Sequence, residues 1–267
     1  MFVSELYFYP VKSCAGVKLT SAQIGQRGII GDRLWMVVNE KGKFLTQREL
    51  PRMALIEPRL SNAGTLSLNA PGMPTLEIQP RSLASQAPTQ VVKIWNDDCQ
   101  AIDEGQEAAQ WFSCFLKKTC RLVRMADAFK RQVDQKYAPS PDNEAAFQDG
   151  FPFLLISQES LLDLNQKLDD PLDMNRFRPN IVISGCQPFA EDKWQSINIG
   201  SITFDIVKPC ARCVITTIEQ TTGLMGSEPL KTLSSYRLKN GKVLFGQNLT
   251  YRNIGHIALG DEVIVSN

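Results

Sequence analysis

The sequence predicts a mainly β protein with a few covering helices, an α+β chain with a barrel or sandwich architecture. Three observations predict it. Short runs rich in β-branched and aromatic residues recur along the chain, Gly, Asn and Pro turn residues punctuate them, and few stretches repeat their apolar residues at helical spacing.

Phe2 to Val11 opens the chain as a strand. Leu34 to Asn39 and Lys43 to Thr46 flank Glu40-Lys41-Gly42, where Gly supplies the positive φ of a tight hairpin. Thr65 to Leu68 and Leu76 to Ile78 flank Asn69-Ala70-Pro71-Gly72, a second hairpin, and Val91 to Ile102 reads as a third. Glu107 to Lys117 is the first helix, because Ala108, Trp111, Phe112 and Phe115 recur at three and four; a short strand, Arg121 to Arg124, follows. The Pro139-Ser140-Pro141-Asp142-Asn143-Glu144 segment reads as an exposed polar loop, and Pro139 to Ala145 as a surface loop or lid. A buried strand, Phe153 to Ile156, runs into a helix capped by the Ser157 hydroxyl. Strands return over Asn180 to Ser184, Ile197 to Ile199, Ile202 to Val207, Val214 to Glu219, Val243 to Gln247 and Glu262 to Val265. A boundary after the first helix divides the chain into 1–120 and 121–267.

Composition narrows the chemistry. The 267 residues hold 29 Lys+Arg against 28 Asp+Glu, so no global field attracts nucleic acid or an anionic membrane, and an anion site must be a local cluster. The single histidine, His256, excludes His-rich metal sites and leaves little room for a Ser-His-Asp triad. Seven cysteines lack the dense spacing of a secreted disulfide framework. No basic leader precedes a long apolar stretch, and no run reaches the roughly 18 apolar residues of a membrane span, so the cytoplasm is the expected location.

Val207-Lys208-Pro209-Cys210-Ala211-Arg212-Cys213-Val214-Ile215-Thr216-Thr217 is the most chemically loaded stretch. A neighbouring Lys or Arg favours the thiolate, which makes one of these thiols a ligand or nucleophile candidate. Spacing alone leaves three readings. A structural zinc site would need scattered cysteines, since no second C-x-x-C exists; a thioredoxin-like pair belongs at a helix start, whereas this one sits between strands; a buried structural pair competes with both. Lys12, Arg33, Arg48, Arg178 and Arg212 all fall at strand ends or turns, where a rigid barrel would gather them. Arg binds phosphate through a planar fork and Lys acts as a point charge, although each of them singly is more often a solvated surface charge.

Five motifs in order then give a family resemblance over nearly the whole chain: Tyr9-Pro10-Val11-Lys12-Ser13-Cys14, Gly31-Asp32-Arg33-Leu34-Trp35, Phe177-Arg178-Pro179-Asn180-Ile181-Val182, Cys210-Ala211-Arg212-Cys213-Val214-Ile215-Thr216-Thr217 and Phe245-Gly246-Gln247-Asn248-Leu249. Together they resemble the MOSC family, in the branch that sets an N-terminal β-barrel-like domain before the MOSC β-barrel and includes YcbX-like proteins and the mitochondrial amidoxime-reducing component. The resemblance implies a molybdenum cofactor, a metal held by a pterin dithiolene with a terminal phosphate. It places Cys213 at the metal and catalytic position, and Lys12, Ser13, Arg33, Arg178 and Arg212 around phosphate and pterin, with Asn248 nearby. Asp149 is a candidate acceptor for the pterin amino groups, or a turn carboxylate. Asn248 is otherwise a turn amide, and Asn180 is as readily a strand-edge residue fixed by Pro179. Cys210 receives no role.

The resemblance further implies reduction of small N-hydroxylated compounds such as amidoximes, hydroxylamines and N-hydroxylated base analogues. The 267 residues contain no C-x₄-C-x₂-C iron–sulfur pattern, so electrons are expected from a separate ferredoxin or flavin reductase. Two alternatives stand beside this. One is a sulfur carrier or sulfurtransferase that works with a pyridoxal-phosphate desulfurase; no Lys can be singled out for a Schiff base in this chain. The other is a non-enzymatic cofactor carrier.

Overall fold

A computed structural model describes residues 1–79, 88–138, 140 and 142–266. The expected mainly β, α+β class holds. Nine strands join in one sheet, in the order Val263–Ser266, Ser196–Ile199, Ile202–Ala211, Lys242–Tyr251, Phe153–Ser157, Ile181–Ser184, Phe2–Phe8 and Val17–Leu19, with Leu238–Lys239 paired to the side of Lys242–Tyr251. The first strand of the chain is thereby hydrogen-bonded into the sheet of the C-terminal half, Leu6 opposite Ile181.

Alternation along the strands explains how this sheet is covered on both faces. Leu6, Leu155, Ile181 and Leu249 point into one cluster with Phe153 and Phe204; Tyr7, Tyr9, Ile156, Val182 and Phe245 point into another with Phe177, Leu161 and Leu233. The helix Gln158–Asn165 supplies Leu161 and Leu164 to the second cluster and makes the crossover that lets Phe153–Ser157 run parallel to Ile181–Ser184. Ser157 caps it as expected, accepting from the Ser160 amide. Ser157 and Ser160 in turn donate to the buried Glu191 carboxylate, whose pKa burial raises.

The N-terminal half packs smaller sheets around the helix Gln106–Leu116. Trp111, Phe112 and Phe115 of that helix meet Val11, Trp35, Leu45, Leu66 and Leu122. The expected hairpins form between Leu66–Asn69 and Leu76–Ile78 and between Thr89–Ile94 and Asp97–Asp103.

Three local expectations are corrected. Val214 to Glu219 is not a strand: Val214–Thr217 forms a 3-10 turn, because the Thr216 and Thr217 hydroxyls donate to the Cys213 and Val214 carbonyls and hold the chain helical. Lys43 to Thr46 forms isolated bridges rather than a strand, Phe44 to Val38 and Lys43 to Lys93. Pro139 and Pro141 lie outside the described residues, but the end of the segment read as exposed is buried: Asn143 donates to the Tyr251 carbonyl at 2.8 Å and Ala145 to that of Arg131. The short helix Leu230–Tyr236 was not legible, since it is only 7 residues long, buries Leu233 alone and has no side-chain cap. No described helix is long and apolar enough to cross a membrane.

Gly246 lets the strand carrying Asn248 pass its neighbour. Its φ is +79°, and a Cβ there would lie 2.8 Å from the Leu155 carbonyl oxygen and 2.7 Å from Ile156 Cγ1. Left-handed backbone costs about 1–2 kcal/mol and overpacking about 1–3 kcal/mol, so Gly246→Ala is expected to lose about 2–5 kcal/mol of stability, read as a lowered urea midpoint. A midpoint within experimental error of the wild type would contradict this packing.

Candidate functional site

Where the two halves meet, the chain encloses a cleft of about 840 Å³ including its open mouth. Lys12, Ser13, Arg33, Asp149, Arg178, Asn180, Arg212, Cys213 and Asn248 all line it, joined by Arg48 and Cys210. Residues separated by up to 236 positions converge because Phe2–Phe8, Phe153–Ser157, Ile181–Ser184 and Lys242–Tyr251 are neighbours in one sheet and end at the cleft or run past it.

The cations are held by name. Lys12 Nζ donates to Asp149 Oδ1 at 2.5 Å and to the Phe147 carbonyl at 2.9 Å. Arg33 donates to Asp32 at 2.5 Å, to Asn180 Oδ1 at 3.1 Å and to the Arg178 carbonyl at 3.3 Å. Arg178 donates to the Cys14 carbonyl at 2.6 Å. Both guanidiniums pack on the Tyr9 ring, their carbons 4.1 and 4.2 Å from its centre, and the Tyr9 hydroxyl donates to the Pro179 carbonyl. Asn180 therefore works as a bracket between Arg33 and the Tyr7 and Leu154 main chain, and Asn248 holds the Lys208 carbonyl of the adjoining strand at 3.1 Å.

Ser13, Arg33 and Arg178 adopt positive φ, 65°, 49° and 56°, a conformation that non-glycine residues rarely take. Each such residue costs of the order of 1 kcal/mol or more, and strain of this kind persists only where the surroundings enforce it.

Two thiols line the same cleft. The strand Ile202–Ala211 carries Cys210, with register shifts at Ile206 to Lys208 and Pro209 to Ala211 that bend it at the cleft. Cys213 sits at the start of the 3-10 turn. Arg212 donates to Cys210 Sγ at 3.1 Å and to the Phe177 carbonyl at 2.6 Å, while its Nε is buried with no partner among the described residues. Arg48, reaching across from the N-terminal half, donates to Cys213 Sγ at 3.4 Å. The C-x-x-C thus starts a helical turn after all, but its strand partner is antiparallel, unlike a thioredoxin-like βαβ setting.

Charge balance separates the site from a structural ion-pair network. Five cations, Lys12, Arg33, Arg48, Arg178 and Arg212, line the cleft with one carboxylate, Asp149. Burial pulls Arg178 down to about 10, which leaves it charged at neutral pH, and burial likewise lowers Lys12 against the Asp149 charge that favours its proton. Asp149 is 59% exposed at the side chain; desolvation by the surrounding groups pushes its pKa up, and Lys12, Arg48 and the Trp95 indole outweigh that and hold it well below the carboxylate range. Cys14 is pushed up to about 12 by burial and serves through its carbonyl alone. Such an excess of fixed donors suits a dianionic group.

The MOSC N-terminal beta barrel domain matches residues 1–119 and the MOSC domain residues 142–264. The chain belongs to the MOSC family. Mitochondrial amidoxime reducing component 2 of Rattus norvegicus is 38% identical over 98% of this chain and 82% of its own length, and mitochondrial amidoxime-reducing component 1 of Homo sapiens 36% over 98% and 82%. Molybdenum cofactor sulfurase of Danio rerio is 35% identical over 98% of this chain but 34% of its own length.

Two residues were not carried as site residues by sequence reasoning. Tyr9 belongs to a quoted motif, yet its support of two arginines depends on contacts 24 and 169 positions away, and Arg48 was grouped only as a strand-end cation. His256 lies in an exposed strand position paired with Gln23, away from the cleft.

The folded-state pKa of Asp149 lies below its unfolded value of about 4, so the Lys12 pair contributes fully above about pH 5 and its contribution is lost as pH falls through the folded pKa. Asp149→Asn is expected to flatten the fall in melting temperature between pH 5 and pH 3. An unchanged acid limb in the variant would remove Asp149 as a carboxylate stabilised by the fold.

Proposed function

We propose that this MOSC-family chain is a molybdenum-cofactor-dependent reductase of small N-hydroxylated compounds. The observation that carries the reading is one cleft lined by a surplus of cations together with Cys213. Lys12, Ser13, Arg33 and Arg178 would hold a terminal phosphate, with Asn180 and Tyr9 fixing the arginines. The free Arg212 Nε is a donor awaiting an acceptor, Asp149 offers an exposed carboxylate to amino groups, and Asn248 keeps the adjoining strand in register. Cys213 Sγ would be the protein ligand of the metal, soft sulfur suiting such a site. When bound, the cofactor supplies the redox chemistry, and the protein supplies orientation and electrostatics.

The relatives named amidoxime-reducing components support this substrate class. Electrons would come from a separate ferredoxin or flavin reductase. Seven free thiols support a reducing, cytoplasmic setting. The sulfurase relative and the second thiol, Cys210, favour sulfur transfer as the other reading, in which Cys210 or Cys213 carries a persulfide supplied by a pyridoxal-phosphate desulfurase.

Protein purified from a cofactor-competent host should contain close to one molybdenum per chain, and Cys213→Ala should lose it. Stoichiometric metal in Cys213→Ala would sink the ligand assignment. Reduction of benzamidoxime with an artificial donor separates a reductase from a cofactor carrier, and a persulfide mass on Cys210 or Cys213 after incubation with a desulfurase would turn the reading to sulfur transfer.

A further inference from the structure

The five cleft cations are not equivalent. Lys12, Arg33, Arg178 and Arg212 each donate to at least one main-chain carbonyl, which fixes them to the fold. Arg48 does not. Among the described residues its guanidinium makes one hydrogen bond, to Cys213 Sγ at 3.4 Å, and its nearest carboxylate oxygen, on Asp149, is 4.0 Å away. Its side chain is 26% exposed, so donors remain free at the mouth of the cleft.

What holds Arg48 in place is an indole. Its guanidinium carbon lies 4.9 Å from the Trp95 ring centre, and Trp95 also packs on Phe44. Trp95 sits at the tip of the Thr89–Ile94 and Asp97–Asp103 hairpin with a φ of +53°, an uncommon conformation for a bulky aromatic, and donates from Nε1 to Asp149 Oδ1 at 3.1 Å. The hairpin therefore pins the guanidinium beside the sulfur from the opposite half of the molecule.

We propose that Arg48 is a catalytic residue that receives the oxygen of the substrate N–OH group, with Trp95 as its positioning residue. This rests on the N-hydroxy reductase reading. In that reaction the N–O bond breaks, two electrons from the separate reductase and two protons from solvent are consumed, and the products are the N–H compound and water. Negative charge gathers on the departing oxygen. A guanidinium with free N–H groups beside Cys213 meets that charge without giving up a proton, since Arg stays protonated throughout. Arg33 and Arg178 donate to Asp32, Asn180 and the Arg178 and Cys14 carbonyls, and among the described residues Arg48 is the guanidinium that donates to Cys213 Sγ.

The test uses molybdenum-loaded wild type, Arg48→Gln, Arg48→Lys and Trp95→Phe with benzamidoxime. Losing one donor to developing charge typically costs about 100-fold or more in kcat, so Arg48→Gln should fall by that order with molybdenum content unchanged, and Arg48→Lys should recover part of the loss. Trp95→Phe should lower kcat less, with its metal also unchanged. Binding gives a readout apart from turnover: benzamidoxime should change the tryptophan emission of wild type, the change should be absent in Trp95→Phe, and it should shrink in Arg48→Gln. Wild-type kcat in fully loaded Arg48→Gln overturns the proposal. Loss of molybdenum in both Arg48 variants overturns it as well, by moving Arg48 to cofactor binding, and leaves the reductase reading standing. Loaded wild type that reduces no N-hydroxylated compound overturns both.

Discussion

Everything at this site depends on keeping like charges together before any anion arrives. Arg33 and Arg178 share one aromatic ring, Tyr9, whose own backbone amide donates to Asp32 Oδ1 at 2.8 Å while the other oxygen of that carboxylate takes Arg33. A buried carboxylate and a ring quadrupole offset the repulsion between guanidiniums, and neither competes for the space above them. Tyr9 is itself fixed from below: a Cβ on Gly16 would come within 2.3 Å of its ring, so only glycine fits there. Burial raises the Tyr9 pKa, which keeps the ring a neutral support.

The sheet topology puts this support where the sulfur chemistry is. Phe2–Phe8 pairs with Ile181–Ser184, which lies beside Phe153–Ser157, which lies beside Lys242–Tyr251, which pairs with the strand bearing Cys210. The sheet passes from the strand that leads to Tyr9 to the strand bearing Cys210 in a few strand widths of roughly 5 Å each. Arg48 and Trp95 then enter from the N-terminal half. A cleft made this way needs both halves folded, which ties the function of the C-terminal sheet to the hairpin of the other half.

The sequence made part of this legible. Hairpin turns, the capped helix after Phe153–Ser157 and the Gln106–Leu116 helix follow from local rules, and they appear within a residue or two of expectation. The ordered motifs named eight residues that the fold brings into one cleft, and Asp149, named outside the motifs, joins them there. What failed was local β-propensity at Val214 to Thr217, where four β-branched residues read as strand although hydroxyl-to-carbonyl bonds three residues back make a helical turn. Asn143 failed differently: a polar residue in a breaker segment is buried because a distant carbonyl, that of Tyr251, needs a donor. Tyr9 and Arg48 act through partners far away in sequence, and no periodicity or spacing reports such contacts.

Strain gives the last link between fold and function. Seven non-glycine residues among those described have positive φ, and four of them, Ser13, Arg33, Trp95 and Arg178, belong to the cleft or its rim. At roughly 1–3 kcal/mol each, that is a sizeable fraction of the 5–15 kcal/mol by which a typical domain is stable. Packing elsewhere must enforce these conformations: Val11 and Cys14 beside Ser13 and Trp35 near Arg33 are buried in the N-terminal core, and Phe177 beside Arg178 is buried in a sheet-face cluster. An anion entering the cleft then meets donors that need no reordering, and its charge relieves the repulsion that the fold sustains without it. Binding of such an anion would therefore be coupled to folding stability through the same arginines.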